Sequence, residues 1–228
     1  MIIAIDGPSG AGKSTLGKML AKELGLLYLD TGAMYRAVAL AVLESGAGFD
    51  EVEKAIQTAR NSEITLTGAP EELQIFLGGR NVSQSIRTPE VGEAASQIST
   101  VSEVRRILVQ RQQELGKRGD GCVLDGRDIG TVVFPNADVK FFLTANPEAR
   151  ARRRFEEDKA RGTATTYERT LEEINQRDER DVSRADSPLS IAEDAIVIDT
   201  SELNLAEVFA EMLEIVRGRK SALNNSAK

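Results

Sequence analysis

Residues 2–14 read IIAIDGPSGAGKS, an apolar run that leads into the pattern G-x-x-x-x-G-K-[ST] from Gly7 to Ser14. A segment with apolar side chains at helical spacing, Lys13–Leu24, follows and ends at Gly25. Strand, glycine-rich loop and helix in this order predict a phosphate-binding loop. Glycines let backbone N–H groups approach a phosphate, and the helix N-terminus adds partial positive charge.

This loop predicts a site for a nucleoside triphosphate and a Mg²⁺ ion. We expect Lys13 to reach the β- and γ-phosphates and the Ser14 hydroxyl to ligate the metal. Cys122–Asp125 is an apolar run that ends in a carboxylate, a pattern that organises Mg²⁺ beside such loops, so Asp125 is the second predicted ligand. The residues expected to bind the triphosphate are Gly7, Pro8, Ser9, Gly10, Ala11, Gly12, Lys13, Ser14 and Thr15.

The rest of the chain alternates short apolar runs with helical periodicity, which is typical of an α/β fold with a parallel sheet covered by helices on both faces. Further helices are predicted at Ala33–Ser45 and Leu203–Val216, and the polar segment Gly218–Lys228 is expected to be disordered. The apolar runs predict a sheet of five strands: Ile2–Ile5, Leu26–Leu29, Cys122–Leu124, Val139–Leu143 and Ala195–Ile198.

Two regions interrupt this alternation. Within residues 62–88, Ile64–Thr67 and Leu73–Leu77 precede a pair of glycines and predict a small antiparallel insert. Residues 147–187 are charged and rich in arginine, and they predict a helix–turn–helix excursion over the surface.

The composition excludes several kinds of chemistry. The 228 residues include no histidine and one cysteine, Cys122, so a Ser–His–Asp triad, an intrachain disulfide and a cysteine metal cluster are excluded. The net charge of −7 argues against a general nucleic-acid binder. No apolar run approaches the roughly 20 residues of a membrane helix, and Asp6 interrupts the N-terminal apolar stretch. With the sparse cysteine, this predicts a cytoplasmic location without membrane association.

Arginine outnumbers lysine by 20 to 9, and nine of the arginines lie between Arg150 and Arg184. Arg177, Arg180 and Arg184 would share one face of a helix. From the residues alone, two interpretations stay open: a solvated, salt-bridged helix face, or a clamp for phosphates, which the planar guanidinium suits. The predicted phosphate-binding loop favours the clamp.

The N-K-x-D segment that reads guanine in GTPase switches is absent from the sequence, and the chain is too short for a large motor or transport ATPase. A small-molecule kinase needs an acceptor site and a lid, and the sequence offers candidates for both. The motifs at residues 5–14, 29–36, 125–135 and 177–181 closely resemble the bacterial cytidylate kinase family, and the resemblance extends from about Met1 to Arg217.

The resemblance implies transfer of a phosphoryl group from ATP to CMP or dCMP with Mg²⁺. It implies one kinase domain over residues 1–217, with a monophosphate-binding insert at about 45–90 and a lid at about 148–184. The expected catalytic residues are Lys13, Arg127, Arg177 and Arg184. The implied acceptor contacts are Thr31, Tyr35 and Arg36 beside phosphate and ribose, Ser96, Arg105 and Asp128 at the cytosine, Arg127 at the phosphate, Arg177 and Arg184 as phosphate ligands from the lid, and Asp181 at a ribose hydroxyl.

Two other functions stay open at this point. One is a kinase of a different small acceptor, such as UMP or shikimate; the other is a nucleotide-dependent switch without small-molecule turnover. The chain departs from the family pattern at Asp186, which places an extra carboxylate beside the clamp. We expect a monomer, because nothing in the sequence indicates an obligate oligomer.

Overall fold

The computed structural model describes residues 1–46, 51–202 and 204–226. In this part of the chain the strands are β1 (Ile2–Asp6), β2 (Leu27–Asp30), β3 (Ile64–Thr67), β4 (Gln74–Leu77), β5 (Arg80–Asn81), β6 (Cys122–Gly126), β7 (Val139–Thr144) and β8 (Ile196–Asp199). The helices are α1 (Lys13–Leu24), α2 (Thr31–Glu44), α3 (Val52–Asn61), α4 (Pro89–Ile98), α5 (Ser102–Gly116), α6 (Pro147–Ala160), α7 (Tyr167–Ser183) and α8 (Leu205–Ser226). Shorter helical turns lie at Pro70–Glu72, Ser85–Arg87 and Ile129–Val133.

A parallel five-stranded sheet in the order β2-β6-β1-β7-β8 forms the centre of the structure, which confirms the predicted α/β fold. The register places Asp125 of β6 between Ile5 of β1 and Asp30 of β2. The carboxyl ends of these three strands therefore lie side by side. Open α/β sheets bind ligands at this edge.

Apolar side chains cover both faces of the sheet, because alternate strand residues point to opposite sides. On one face, Leu16 and Leu20 of α1 pack with Ile5. On the other face, Leu124 packs with Ile129 from the turn after β6. The apolar packing on both faces holds the strands in place, and with them the starting points of the loops at the carboxyl edge of the sheet.

The predicted antiparallel insert is confirmed as the sheet β3-β4-β5, in which Leu66 lies opposite Ile75. Ile75 is fully buried in a core shared with α2, α4 and α5. The predicted helix–turn–helix is also present, because α6 and α7 pack on each other and are joined by a turn in which Gly162 has a φ of 76°. No helix among the described residues is long and apolar enough to span a bilayer.

Some boundaries differ from prediction for local reasons. Helix α1 begins and ends where the sequence predicts, whereas α2 begins at Thr31 instead of Ala33. The Asp30 carboxylate caps α2 by accepting a hydrogen bond from the Ala33 N–H at 2.8 Å. Helix α3 is an additional element that holds two buried alanines. Residues 47–50, at the start of the predicted insert, lie outside the described residues.

The prediction of a disordered tail from Gly218 is wrong for the residues described there, because α8 continues through Gly218 to Ser226. One glycine costs a helix only about 1 kcal/mol, and lysine, alanine and leucine, which favour helix, follow it. Packing of Val208 and Met212 against the sheet supports the start of the same helix. The predicted helix start at Leu203 and residues 227 and 228 fall outside the described part of the chain.

Candidate active site

The glycine-rich loop connects β1 to α1 and takes a shape that larger residues cannot adopt. Gly7 has a φ of 142°, and a Cβ built on it would lie 1.9 Å from the Leu143 carbonyl oxygen of β7. Gly12, at the N-terminus of α1, is left-handed with a φ of 88°. The main chain of the loop can therefore turn closely around a phosphate group. Thr15 is exposed on the first turn of α1.

Lys13 is the cation of this loop, and it is buried. Its ammonium donates a hydrogen bond to the Pro8 carbonyl at 2.6 Å. Burial, together with the nearby positive charge of Arg127, lowers the pKa of Lys13 well below its usual value. An anion at this position would relieve both effects, so the environment favours a phosphate ligand.

The two residues predicted to ligate a metal, Ser14 and Asp125, lie together beside the loop. The Ser14 hydroxyl donates to Asp125 Oδ2 at 2.6 Å, and the Tyr28 hydroxyl donates to Asp125 Oδ1 at 3.0 Å. Burial and the neighbouring Asp30 carboxylate raise the pKa of Asp125. This donor set fits Mg²⁺, which prefers oxygen and is commonly held by one or two protein ligands plus substrate phosphates. Within the described residues, no group of three acidic, histidine or cysteine side chains forms a complete metal cage.

A second basic region lies at the end of β2. The Asp30 carboxylate oxygen Oδ2 accepts bonds from Arg36 and from Arg87, each at 3.3 Å. Burial raises the pKa of Asp30, but these two guanidinium groups outweigh burial and lower it below its usual value. The Thr31 hydroxyl donates to the Asp125 carbonyl at 2.6 Å, which ties β2 to β6. Arg36 Nε is buried without a hydrogen-bond partner.

Four charged residues lie together at the centre of the candidate site, one in the loop after β6 and three in α7 and at the residue that follows it. Arg127 Nε donates to Asp181 Oδ2 at 2.8 Å, and Arg184 lies 3.7 Å from the other oxygen of Asp181. Burial and the charge of Arg127 lower the pKa of Arg177 to about 9. Arg177 Nε and two nitrogens of Arg184 are buried without partners. These partnerless guanidinium nitrogens leave room for added negative charge.

A buried pair of opposite charges lies next to these arginines. Arg105 of α5 donates to Asp128 Oδ2 at 2.5 Å, and both side chains are less than a tenth exposed. The Arg105 guanidinium lies 5.5 Å from the centre of the Tyr35 ring. The Tyr35 hydroxyl and Ser96 Oγ are buried and have no hydrogen-bond partner. Ser96 is 5% exposed, so it is not a surface residue of α4.

The helices of the predicted lid contact both the glycine-rich loop and helix α4. Arg150 of α6 donates to the Ser9 carbonyl at 3.2 Å and pairs with Asp178 of α7 at 2.6 Å. Arg180 of α7 makes two hydrogen bonds, of 2.8 and 3.0 Å, to Glu93 of α4. Helix α7 is thus linked through Arg150 to the glycine-rich loop on one side and through Arg180 to α4 on the other.

The structure brings the residues of the predicted acceptor site to one edge of the sheet. It also adds three residues that the sequence analysis missed: Tyr28, Arg87 and Arg150. None of these three residues lies in a recognisable motif. Tyr28 alone could have been suspected, because it lies two residues before Asp30 at the end of a predicted strand. Asp186 forms no ion pair with a described basic residue, and the neighbouring Ser187 has a φ of 52°.

Comparison with known proteins decides the family. The family model described as "Cytidylate kinase" matches residues 3–218. The chain belongs to the cytidylate kinase family. A cytidylate kinase of Caldanaerobacter subterraneus is 51% identical, with 94% of each chain covered. A cytidylate kinase of Mycobacterium leprae is 46% identical, with 98% of each chain covered.

This result confirms the family predicted from the four motif stretches. Among solved structures, an uncharacterized protein from Eubacterium ventriosum aligns over 95% of this chain and 98% of its own, with a TM-score of 0.54 at 12% identity. That likeness concerns the fold alone. The cytidylate kinase match covers the sheet, the antiparallel insert and the helices α6 and α7, so each group of predicted site residues lies within the matched range.

Proposed function

We propose that this chain transfers the γ-phosphoryl group of ATP to CMP or dCMP, and that the products are ADP and CDP or dCDP. Membership of the cytidylate kinase family supports a nucleoside monophosphate kinase. The choice of acceptor is argued from the site itself.

The observation that carries the proposal is the buried Arg105–Asp128 pair with the free Ser96 and Tyr35 hydroxyls beside it. Cytosine presents an N4 amino donor and the acceptors N3 and O2. A carboxylate accepts from the amino group, and a guanidinium donates to the ring acceptors. Uracil has an oxygen at position 4, which would face the Asp128 carboxylate unpaired. A buried site of this kind rejects the near-isostere strongly.

The basic residues supply the charge balance that phosphoryl transfer requires. In the proposed reaction an oxygen of the CMP phosphate forms a bond to the γ-phosphorus while the bond from that phosphorus to ADP breaks. Lys13 binds the β- and γ-phosphates, and Arg36 and Arg127 hold the acceptor phosphate in line. Mg²⁺, held by Ser14 and Asp125, would neutralise the charge of the triphosphate oxygens when bound. Fixed positive groups in a buried site stabilise the charge of the transition state.

Residues 148–184 are proposed to act as a lid over an insert of residues 45–90. Arg177 and Arg184 project from it toward Asp181 and the acceptor region, and their unpaired nitrogens support a role as phosphate ligands. Asp181 is then the proposed partner of a ribose hydroxyl, and Thr31 lies beside the ribose and phosphate. Exclusion of water by the lid would prevent hydrolysis of ATP.

The remaining proposals concern the setting of the reaction. We propose a monomer that works in the cytoplasm with ATP and CMP or dCMP as partners and without nucleic acid. The net charge of −7 supports the last point, because a nucleic-acid binder is normally basic.

The test is ADP formation from ATP and Mg²⁺ with CMP, dCMP, UMP, AMP, GMP and shikimate in turn. We expect fast turnover with CMP and dCMP and slow turnover with the others. Lys13→Ala protein purified in parallel controls for contaminating kinases. Preference for UMP or shikimate would reassign the acceptor, and acceptor-independent ATP use would favour a nucleotide-dependent switch.

A further inference from the structure

Asp6 is a buried carboxylate that the proposed reaction does not use. It is the last residue of β1 and directly precedes Gly7, the first glycine of the donor loop. The residue is 4% exposed. Its two carboxylate oxygens accept main-chain hydrogen bonds from Ile129 at 2.8 Å and from Gly130 at 2.7 Å.

These two N–H groups belong to the residues that directly follow Asp128. After β6 ends at Gly126, Arg127 and Asp128 lie outside regular secondary structure, and the turn Ile129–Val133 follows them. Both oxygens of Asp6 hold the start of this turn. The direction in which the Asp128 side chain points is therefore set from β1, a strand more than a hundred residues earlier in the chain.

The turn is packed tightly onto this anchor. A Cβ built on Gly130 would lie 3.0 Å from Lys140 Cδ and 3.4 Å from Asp6 Oδ2. The charges that act on Asp6 come from both sides of the site. Burial and the Asp128 carboxylate raise its pKa, the two main-chain hydrogen bonds and Lys13 oppose the rise, and the resulting pKa is about 6. Asp6 thus lies between the donor loop and the residue proposed to read the base.

We propose that Asp6 is a positioning residue for base recognition, which joins the donor loop to the acceptor-reading loop through the Ile129 and Gly130 N–H groups. The inference rests on the proposed function, because it concerns the orientation of Asp128 toward cytosine. A carboxylate is needed since it offers an acceptor to both N–H groups. A carboxamide of the same shape would accept one bond and direct its own N–H₂ at the other donor.

The test compares Asp6→Asn with Asp138→Asn. The Asp138 carboxylate also accepts a main-chain hydrogen bond from β1, from Ile2 N at 2.7 Å, at the end of the strand remote from the site. We expect Asp6→Asn to raise the KM for CMP and to lower the CMP-over-UMP ratio of kcat/KM by about tenfold or more, because small misplacements of a positioning group carry large costs. The KM for ATP should change little, and Asp138→Asn should keep the wild-type ratio.

If Asp6 had only a structural role, Asp6→Asn would lower the thermal stability but leave the CMP-over-UMP ratio of kcat/KM of the folded enzyme within twofold of wild type. That result would overturn the proposal. If Asp6→Asn does not fold, Gly130→Ala takes its place, because the added methyl group would lie 3.0 Å from Lys140 Cδ and 3.4 Å from Asp6 Oδ2 and so crowds the anchored turn while the carboxylate remains. An unchanged ratio in that variant would equally overturn the proposal. Wild-type enzyme without any CMP preference would instead refute the proposed function, so the two failures are distinguishable.

Discussion

Replacement of Asp128 by asparagine tests the proposed base recognition with the least change of shape. Asp128 is 5% exposed and lies 2.5 Å from the buried Arg105 guanidinium. The carboxylate can only accept hydrogen bonds, so it matches the N4 amino group of cytosine and opposes O4 of uracil. An amide presents an acceptor or a donor after a simple flip, and it can therefore pair with either base.

The contacts set the size of the expected effect. A hydrogen bond to a charged group contributes about 1.5–3 kcal/mol, which corresponds to a loss of about 10- to 150-fold in the CMP-over-UMP ratio of kcat/KM. The variant also removes the negative partner of a buried cation, a change that costs about 3–5 kcal/mol when nothing else compensates. Arg105 keeps a hydrogen bond to the Ser99 carbonyl at 3.2 Å and its contact with the Tyr35 ring, so we expect the lower end of that range.

Coupled measurement of ADP formation gives kcat/KM for CMP and UMP, and denaturant unfolding gives the stability. Glu103→Gln is the matched control, because Glu103 lies on the same helix as Arg105 but pairs with Arg60 at the surface. It should alter neither the selectivity nor, measurably, the stability. An Asp128→Asn enzyme that folds and retains the full preference for CMP would refute the base-reading role.

Three further predictions concern other parts of the site. Lys13→Ala should abolish turnover while circular dichroism shows an intact fold; normal turnover would disprove the donor-loop assignment. Arg184→Ala should reduce kcat at least tenfold, about 1.4 kcal/mol, with a smaller loss of unfolding free energy, whereas an unchanged rate would return this arginine to a structural role. Burial raises the pKa of Asp6 from 3.8 to about 6, so the folded state favours the protonated carboxyl group. The resulting stabilisation is complete below pH 3.8 and is lost as the pH rises through 6. The unfolding free energy of wild type relative to Asp6→Asn should therefore increase by about 2–3 kcal/mol between pH 7 and pH 4; a difference that stays constant with pH would contradict the raised pKa.

The sequence predicts an element of the fold correctly in segments such as α1 and β6, where the pattern of apolar and glycine residues that defines the element lies within a few consecutive turns or residues. Helix α1 follows directly from the spacing of its leucines and from Gly25, and it has the predicted bounds. The strand that carries Asp125 is recognisable from the four consecutive residues Cys122–Asp125. In such segments the local preference and the tertiary structure agree, so no knowledge of distant contacts is needed.

The features that escaped prediction depend on residues distant in the chain. Arg87 reaches Asp30 from 57 positions away, and Tyr28 reaches Asp125 from 97 positions away. Ser96 lies within an ordinary helical segment, and only the packing of α4 against α2 makes it buried. Pairwise contacts of this kind follow from topology, which a single sequence does not encode as a local pattern.

The absence of histidine from the chain agrees with the chemistry of the site. A kinase that phosphorylates an alcohol requires a base to remove the hydroxyl proton. A phosphate acceptor has a second pKa of about 6 and is already anionic at neutral pH, so no proton needs to be taken.

The difficulty in the proposed reaction is instead the electrostatic repulsion between two anionic substrates. Positive side chains that are already buried in the site before the substrates bind can offset this repulsion. In the proposed reaction Arg127, Arg177 and Arg184 would supply that charge beside the carboxylate of Asp181. Burial, together with the charge of Arg127, lowers the pKa of Arg177 to about 9. Under the proposed function, a bound pair of nucleotides would relieve the repulsion between these arginines, so we expect substrate binding to favour closure of α7 over both substrates.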